Sequence, residues 1–150
     1  MQPQDLDPVL RIENAVYPYP WTRGNFEDAL RSGYQAWVAR GDVHDMADDL
    51  ADDLLGYFLL MLVVDEGHLL NISVRADFQG RGFGHALLDR TASMARELGL
   101  TSLLLEVRPS NVRAINIYSQ YGFVSIGRRK AYYPAAENTR EDAIVMRLSL

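Results

Sequence analysis

The sequence predicts an α/β fold built on one mixed sheet, within a single domain spanning residues 1–150. Three observations carry this reading. The elements run as two helices, three strands, a helix, a strand, a helix and two strands. The strand–helix–strand unit in the middle implies a parallel pair of neighbours, because a chain returns in the same direction only through a long crossover. A length of 150 residues with 48% hydrophobic content suits one domain with a proper core.

Each element has a local cause. Asp5 to Ala15 reads as the first helix, with Pro8 tolerated in its first turn. Tyr17-Pro18-Tyr19-Pro20-Trp21 breaks it, since two prolines impose extended or turn geometry. Thr22 caps a second helix reaching about Arg31. Gln35 to Arg40 is a short strand, and Leu54 to Val64 is apolar enough to be a strand buried on both faces. Asp65-Glu66-Gly67 is a turn, and His68 to Val74 returns as the other half of a hairpin. Phe83 to Leu98 is an amphipathic helix whose stripe is Phe83, Leu87, Met94 and Leu98, widened by Ala86, Thr91 and Ala95, and Gly99 ends it. Ser102 to Val107 is a strand. Val112 to Tyr121 is a helix capped by Ser110 or Asn111 and stopped by Gly122. Phe123 to Arg128 and Ala143 to Leu148 are the last strands, with Tyr132-Tyr133-Pro134 in the loop between them. Asp42 to Asp53 carries six aspartates and reads as a solvated acidic loop, with an acidic lip for a cationic substrate as the sharper alternative.

Composition excludes several classes. No stretch approaches the ~18 uninterrupted apolar residues of a membrane span. The first residues, Met-Gln-Pro-Gln-Asp, lack the basic and apolar regions of a signal peptide. The chain has no cysteine, which removes a disulfide framework, a thiol nucleophile and cysteine-ligated zinc. His44, His68 and His85 show no metal-ligand spacing, so no metal is expected. The net charge of −5 argues against nucleic acid as the ligand and is compatible with a basic peptide or protein. A cytoplasmic protein without membrane contact is the expectation.

The run Gln79-Gly80-Arg81-Gly82-Phe83-Gly84 lies at a strand-to-helix turn. Alternating glycines leave main-chain N–H groups unobstructed by Cβ atoms, and a helix N-terminus carries partial positive charge. A phosphate-bearing cofactor gripped by backbone is therefore indicated, against the plainer reading of a structural turn needing positive φ. The spacing is neither a P-loop nor G-x-G-x-x-G.

Glu106 sits near the end of an apolar strand, where a carboxylate can act as general base directly or through water. The alternative is a glutamate paired with Arg108 or another arginine. Tyr118 is either a core tyrosine or a phenol able to protonate a leaving thiolate. Asn111 is a helix cap, a cofactor ligand, or both. Ser110 and Ser119 lack a His-Asp partnership. Tyr17, Tyr19, Trp21, Tyr34, Tyr132 and Tyr133 are loop aromatics that line a binding groove or cap a small core.

These pieces resemble the GNAT family of N-acetyltransferases. Gln79, Gly82 and Gly84 match its acetyl-CoA signature, Q/R-x-x-G-x-G/A. Asn111, Ala114-Ile115-Asn116-Ile117-Tyr118 and Tyr121-Gly122-Phe123 match its second signature. Leu105-Glu106-Val107-Arg108-Pro109-Ser110-Asn111, the Arg128-Arg129-Lys130-Ala131-Tyr132-Tyr133-Pro134 run and Arg140-Glu141-Asp142-Ala143 resemble the RimI branch. The resemblance implies a central twisted sheet of six to seven strands flanked by about four helices. It implies acetyl-CoA as co-substrate, held by main chain at Ile72, Ser73 and Val74 and by Gln79, Gly80, Arg81, Gly82, Phe83, Gly84 and His85, with Asn111 contacting it. The pantetheine arm fills a gap between diverging strands like an extra strand. Glu106 is then the base, Tyr118 the acid, and Tyr17, Trp21, Tyr34, Tyr132 and Tyr133 contact the peptide. The acceptor implied is a protein N-terminus on a basic ribosomal protein, the N-terminal alanine of small-subunit ribosomal protein eighteen. A lysine side chain or a small amine is the alternative acceptor. The family begins with a strand before the first helix, and four residues precede Asp5 here; that strand is either vestigial or upstream.

Overall fold

The computed structural model describes residues 1–41 and 53–150. The acidic segment lies outside the described residues, apart from Asp53, which pairs with Arg40. In chain order the elements are α1 (Leu6–Val16), α2 (Arg23–Arg31), β1 (Gln35–Arg40), β2 (Leu54–Val63), β3 (Glu66–Val74), α3 (Phe83–Glu97), β4 (Ser102–Val107), α4 (Val112–Tyr121), β5 (Val124–Pro134) and β6 (Arg140–Ser149). Short 3₁₀ turns occupy Pro3–Asp5, Ala76–Phe78 and Ala136–Asn138. The strands form one six-stranded sheet in the order β1-β2-β3-β4-β6-β5. Six strands and four helices among the described residues agree with the α/β expectation.

The chain divides into two compact units, and β2, β3 and α3 contribute to both. The first comprises Met1–Leu60 and Asn71–Leu87. Its core joins Leu6, Val9 and Ile12 of α1 to Phe26 and Ala29 of α2 and Leu54, Tyr57 and Leu59 of β2. The α1 spacing of three is that of one helix face. Thr22 caps α2 by accepting from Asn25 N, as the sequence indicated. β2 is buried at every residue from Leu54 to Leu60, which explains its unbroken apolar run. β1 pairs antiparallel with it from Gln35↔Leu60 to Arg40↔Leu54, with an irregularity at Ala39/Arg40. Burying each large side chain here contributes roughly 1.5–3 kcal/mol.

The second unit comprises Met61–Leu70 and Leu88–Leu150. Its parallel ladder joins Glu66–Leu69 of β3 to Ser102–Leu105 of β4. β4 then pairs antiparallel with β6 along its full length, Ser102↔Ser149 to Val107↔Ile144. Leu69, Leu88, Ala92, Met94, Leu103, Leu105, Phe123, Ala143 and Met146 supply its buried apolar side chains.

Three local expectations are corrected. The β2–β3 turn is Val64-Asp65, while Glu66 and Gly67 already belong to β3. Val64 takes φ 57 at 96% exposure, a conformation costly for a β-branched residue, so propensity pointed one step too far along. On α3, Ala86 and Leu98 are exposed, whereas Leu88 and Ala92 are buried beside Leu87, Thr91, Met94 and Ala95. The buried stripe is rotated, and Leu98 lies past the last helical residue. Finally, Tyr132-Tyr133-Pro134 is not a loop. β5 runs on through it, pairing Tyr133↔Glu141 and Pro134↔Arg140, after a register shift between Arg129 and Tyr133 where Ala131 takes φ 50. That irregularity breaks the alternation that sequence patterning relies on. β5 and β6 are correspondingly longer than Phe123–Arg128 and Ala143–Leu148.

Gly56 marks the tightest approach. A Cβ there would stand 2.5 Å from Ser73 O, 3.1 Å from Leu87 Cδ1 and 3.3 Å from Val74 Cα. Two of these neighbours are backbone and cannot rotate away. We expect Gly56→Ala to destabilise the protein by about 2 kcal/mol or more, lowering Tm by at least about 4 °C in a thermal melt.

Candidate active site

The first unit carries the glycine turn. β3 alternates strictly at its end: Asn71 and Ser73 are buried, while Ile72 and Val74 are half-buried on the opposite face. Ile72 O accepts from the Tyr17 hydroxyl at 2.7 Å. Val74 O accepts from Gln79 Nε2 at 3.0 Å, so the signature glutamine folds the turn back onto its own strand. Arg75 lies over the Phe78 ring at 4.5 Å and pairs with Asp77 at 2.8 Å, which holds the Asp77 carboxyl below its usual range. Arg81 covers the same ring at 5.1 Å.

Gly80 and Gly82 take φ 78 and 90, the left-handed region that a side chain resists. The first helical bond of α3 is Ala86 N to Gly82 O, at 3.1 Å. The N–H groups of Phe83 and Gly84 precede that bond and lie at the helix's positive end. A Cβ at Gly82 or Gly84 would meet nothing within 4 Å, so the space above the turn is open. Positive φ, open space and helix-end donors together suit the pyrophosphate of CoA. His85 is exposed on the first turn of the helix.

Of the aromatics in this unit, Tyr17 is fastened to β3, Trp21 packs on Phe26 at 5.4 Å, and Tyr34 packs on the apolar cluster. Trp21 and Tyr34 thus serve the small core, one of the two roles their sequence context allowed.

The second unit carries the titratable set. β4 buries Leu103, Leu105 and Val107 on one face and leaves Leu104 and Glu106 half-buried on the other, and Arg108, just past the strand, is half-buried too. The Glu106 side chain is 14% exposed, and its Oε1 pairs with Arg129 Nε at 3.0 Å. Arg108 is committed elsewhere. It donates to Pro134 O at 2.8 Å and to Glu141 at 3.2 Å, and lies over the Tyr133 ring at 4.4 Å. Glu141 in turn accepts from Ser110 N at 2.8 Å. Hydrogen bonds from Ser110, with Arg108 adding to them, hold the Glu141 carboxyl below its usual range.

Tyr132 and Tyr133 meet edge to face at 4.9 Å. Burial, followed by the Glu106 charge, raises the Tyr132 phenol. Burial also pushes the Tyr133 phenol up, and Tyr132, Glu106 and Tyr118 act on it in the same direction. Tyr133 therefore lies within electrostatic reach of both Glu106 and Tyr118. Tyr118, on α4, packs edge to face on Phe123 at 5.7 Å, and burial pushes its phenol up to about 12. It is held as a phenol throughout the neutral range. Asn111 is the α4 cap, accepting from Ala114 N at 3.2 Å.

The sequence allowed Glu106 an arginine partner, Arg108 or another, and the structure makes it Arg129; the Arg108–Glu141 pair beside the start of α4 was missed. Arg129 lies on β5 and Glu141 on β6, so each pairing depends on the register between strands distant in sequence, which no short window carries.

The acetyltransferase (GNAT) family model matches residues 6–123. The ribosomal protein bS18-alanine N-acetyltransferase of Salmonella typhimurium is 35% identical over 147 residues, covering 97% of this chain and 92% of that protein. The enzyme of the same name from Haemophilus ducreyi is 30% identical over 147 residues, covering 98% and 95%. The crystal structure of the ribosomal-protein-S18-alanine N-acetyltransferase from Escherichia coli superimposes with a TM-score of 0.85 at 31% identity, covering 99% of this chain and 90% of that one. The chain belongs to the GNAT acetyltransferase family. It is an acyltransferase, and its acetyl donor is acetyl-CoA. No helix among the described residues is long and apolar enough to cross a membrane.

A side chain placed in the open space at Gly84 tests the turn directly. We expect Gly84→Val to raise the CoA dissociation constant by at least about tenfold, the loss of ~1.4 kcal/mol, with an unchanged circular dichroism spectrum. Calorimetry giving the parent's affinity would show that the turn holds no phosphate.

Proposed function

We propose that residues 1–150 act as a single cytoplasmic acetyltransferase domain that acetylates the α-amino group of the N-terminal alanine of ribosomal protein bS18. The observation that carries this reading is 30–35% identity, over nearly the whole chain, to enzymes of that name, and it is supported by Tyr132 packed on Tyr133 with Glu106 and Tyr118 within electrostatic reach. In this reading Ile72, Ser73 and Val74 hold the pantetheine arm through main chain, and the turn from Gln79 to His85 holds the pyrophosphate. Asn111 contacts the cofactor, and Tyr17, Tyr132 and Tyr133 line the path of the peptide, with Trp21 and Tyr34, packed on the small core, supporting it from behind.

Bound acetyl-CoA supplies an activated acyl carbon and a thiolate leaving group. The acceptor arrives as an α-ammonium with pKa near ~7.7–8.0, far easier to deprotonate than a lysine near ~10.4. Glu106, through a water, takes that proton, and the substrate ammonium replaces the Arg129 guanidinium as counter-ion. The free amine forms the new C–N bond as the C–S bond breaks. Main-chain N–H groups at the end of β3 stabilise the developing oxyanion. Tyr118 passes its hydroxyl proton to the departing sulfur, so that a neutral thiol leaves, and the proton that the nitrogen sheds on becoming an amide restores the phenol, the form its burial favours. No covalent enzyme intermediate is required, in keeping with a chain that lacks cysteine.

Mass spectrometry of a peptide with a free N-terminal alanine, basic residues and one internal lysine, incubated with protein and acetyl-CoA, tests the reaction. Acetyl on the α-amine is expected. Acetyl on the lysine moves the assignment to side-chain acetylation, and no transfer withdraws the peptide reading.

For Glu106→Gln, turnover at neutral pH should fall by roughly 10²-fold or more. The surviving rate should climb with pH as the α-amine loses its proton unaided. A pH–rate profile parallel to the parent's would remove Glu106 as the base. Tyr118→Phe should lower kcat by a similar factor while CoA affinity stays within about twofold. Failure of this variant to fold would make Tyr118 a packing residue only.

A further inference from the structure

Glu13 has no part in the chemistry above, yet it is 1% exposed and the most deeply buried carboxylate among the described residues. Its oxygens accept from Trp21 N at 2.7 Å, from Asn71 Nδ2 at 3.1 Å and from the Tyr57 hydroxyl. These donors come from the entry to α2, from β3 and from β2. A buried carboxylate is costly unless fully hydrogen-bonded, and an apolar residue of similar size would fill the same place on α1 at no such cost. The burial of a charge here therefore asks what the three bonds accomplish together.

The answer lies in where they end. The segment between α1 and α2 is fastened twice, at Tyr17 through its hydroxyl to Ile72 O and at Trp21 through its N–H to Glu13. Both fastenings lead to consecutive β3 residues, Ile72 directly and Asn71 through Glu13. Ser73 follows, with a buried hydroxyl beside Tyr57 that has no hydrogen-bond partner of acceptable geometry. Next to it, Gly56 allows β2 to approach the Ser73 carbonyl. The end of β3 is thus seated on a small polar layer centred on Glu13, inside an otherwise apolar core.

We propose that Glu13 is a positioning residue that locks the Tyr17–Trp21 segment to the Asn71–Val74 end of β3, so that peptide binding at the segment and CoA binding at the strand reinforce each other. This rests on the reading that those two stretches contact peptide and acetyl-CoA. Only a carboxylate meets all three donors without bringing a donor of its own. Glutamine at this site sets an N–H against Trp21 N or Asn71 Nδ2, and one fastening is released.

The test is calorimetric titration of the full chain with CoA, which has no acetyl group to transfer, with and without a saturating alanine-initiated peptide. In the parent, peptide is expected to tighten CoA binding by about fivefold or more. In folded Glu13→Gln the two ligands still bind, and the ratio falls to about one. Tyr17→Phe, which deletes only the hydroxyl, lowers the ratio in the same way. A folded Glu13→Gln with the parent's ratio overturns the proposal, as does a parent that binds both ligands without coupling. Should Glu13→Gln not fold, Tyr17→Phe decides: an undiminished ratio overturns the proposal and a reduced one supports it. A parent that binds CoA but no peptide overturns the reading of the segment, and the proposal with it.

Discussion

Four residue pairs, Glu66↔Ser102 to Leu69↔Leu105, join β3 to β4 in parallel, and much of the architecture follows from that direction. Parallel neighbours cannot be closed by a tight turn, so the chain needs a crossover. Here the crossover consists of the Ala76–Phe78 turn, the glycine run and α3. A helix that starts directly after a strand presents unpaired N–H groups at its N-terminus, which is the requirement for binding an anion. The glycines make that end reachable. The acetyl-CoA signature is therefore tied to topology: the turn that lets the chain reverse is also the turn that offers backbone donors.

The first unit combines an apolar cluster with one polar layer. Tyr57 belongs to both. Its ring meets Phe26 edge to face at 5.8 Å, and its hydroxyl reaches Glu13. Burial and the neighbouring carboxylate push this phenol well up, so it remains a donor at any working pH. Such layers are less forgiving than an apolar core, because each member lost leaves another unsatisfied. They also fix direction and register in a way that packing alone does not, and here they fix the end of β3.

In the second unit, rigidity is assembled around Tyr132 and Tyr133. Asp142 accepts from Ala131 N at 2.9 Å, Arg140 donates to Tyr132 O at 3.0 Å, and Arg108 joins Pro134 O to Glu141. The kinked end of β5 is thereby fastened to β6 on both sides of the irregularity. Arg129 differs, since its side chain is 52% exposed while Glu106 is 14% exposed. A pair with one partner in solvent is worth little. Exchanging that guanidinium for another cation at Glu106 therefore costs little, whereas the tyrosines beside it are held firmly.

Local patterning specified most elements of this protein. The Thr22 and Asn111 caps, the stop at Gly122, the doubly buried run of β2 and the glycine turn are all written in windows of a few residues, and the structure places them there. Glu106 and Tyr118 stood out as candidates on their strand and helix, and the family resemblance is what gave them roles. Only the tertiary structure decided which cation meets Glu106, because Arg129 reaches its place through the β5–β6 register, which shifts between Ser125 and Gly127 and which no short window encodes. The same holds for Glu13, whose partners Tyr57 and Asn71 lie 44 and 58 residues away. On the sequence it is a polar residue near the end of an amphipathic helix. Backbone preferences act over neighbouring residues and can be read from them, whereas the satisfaction of a buried charge depends on donors that folding alone brings together.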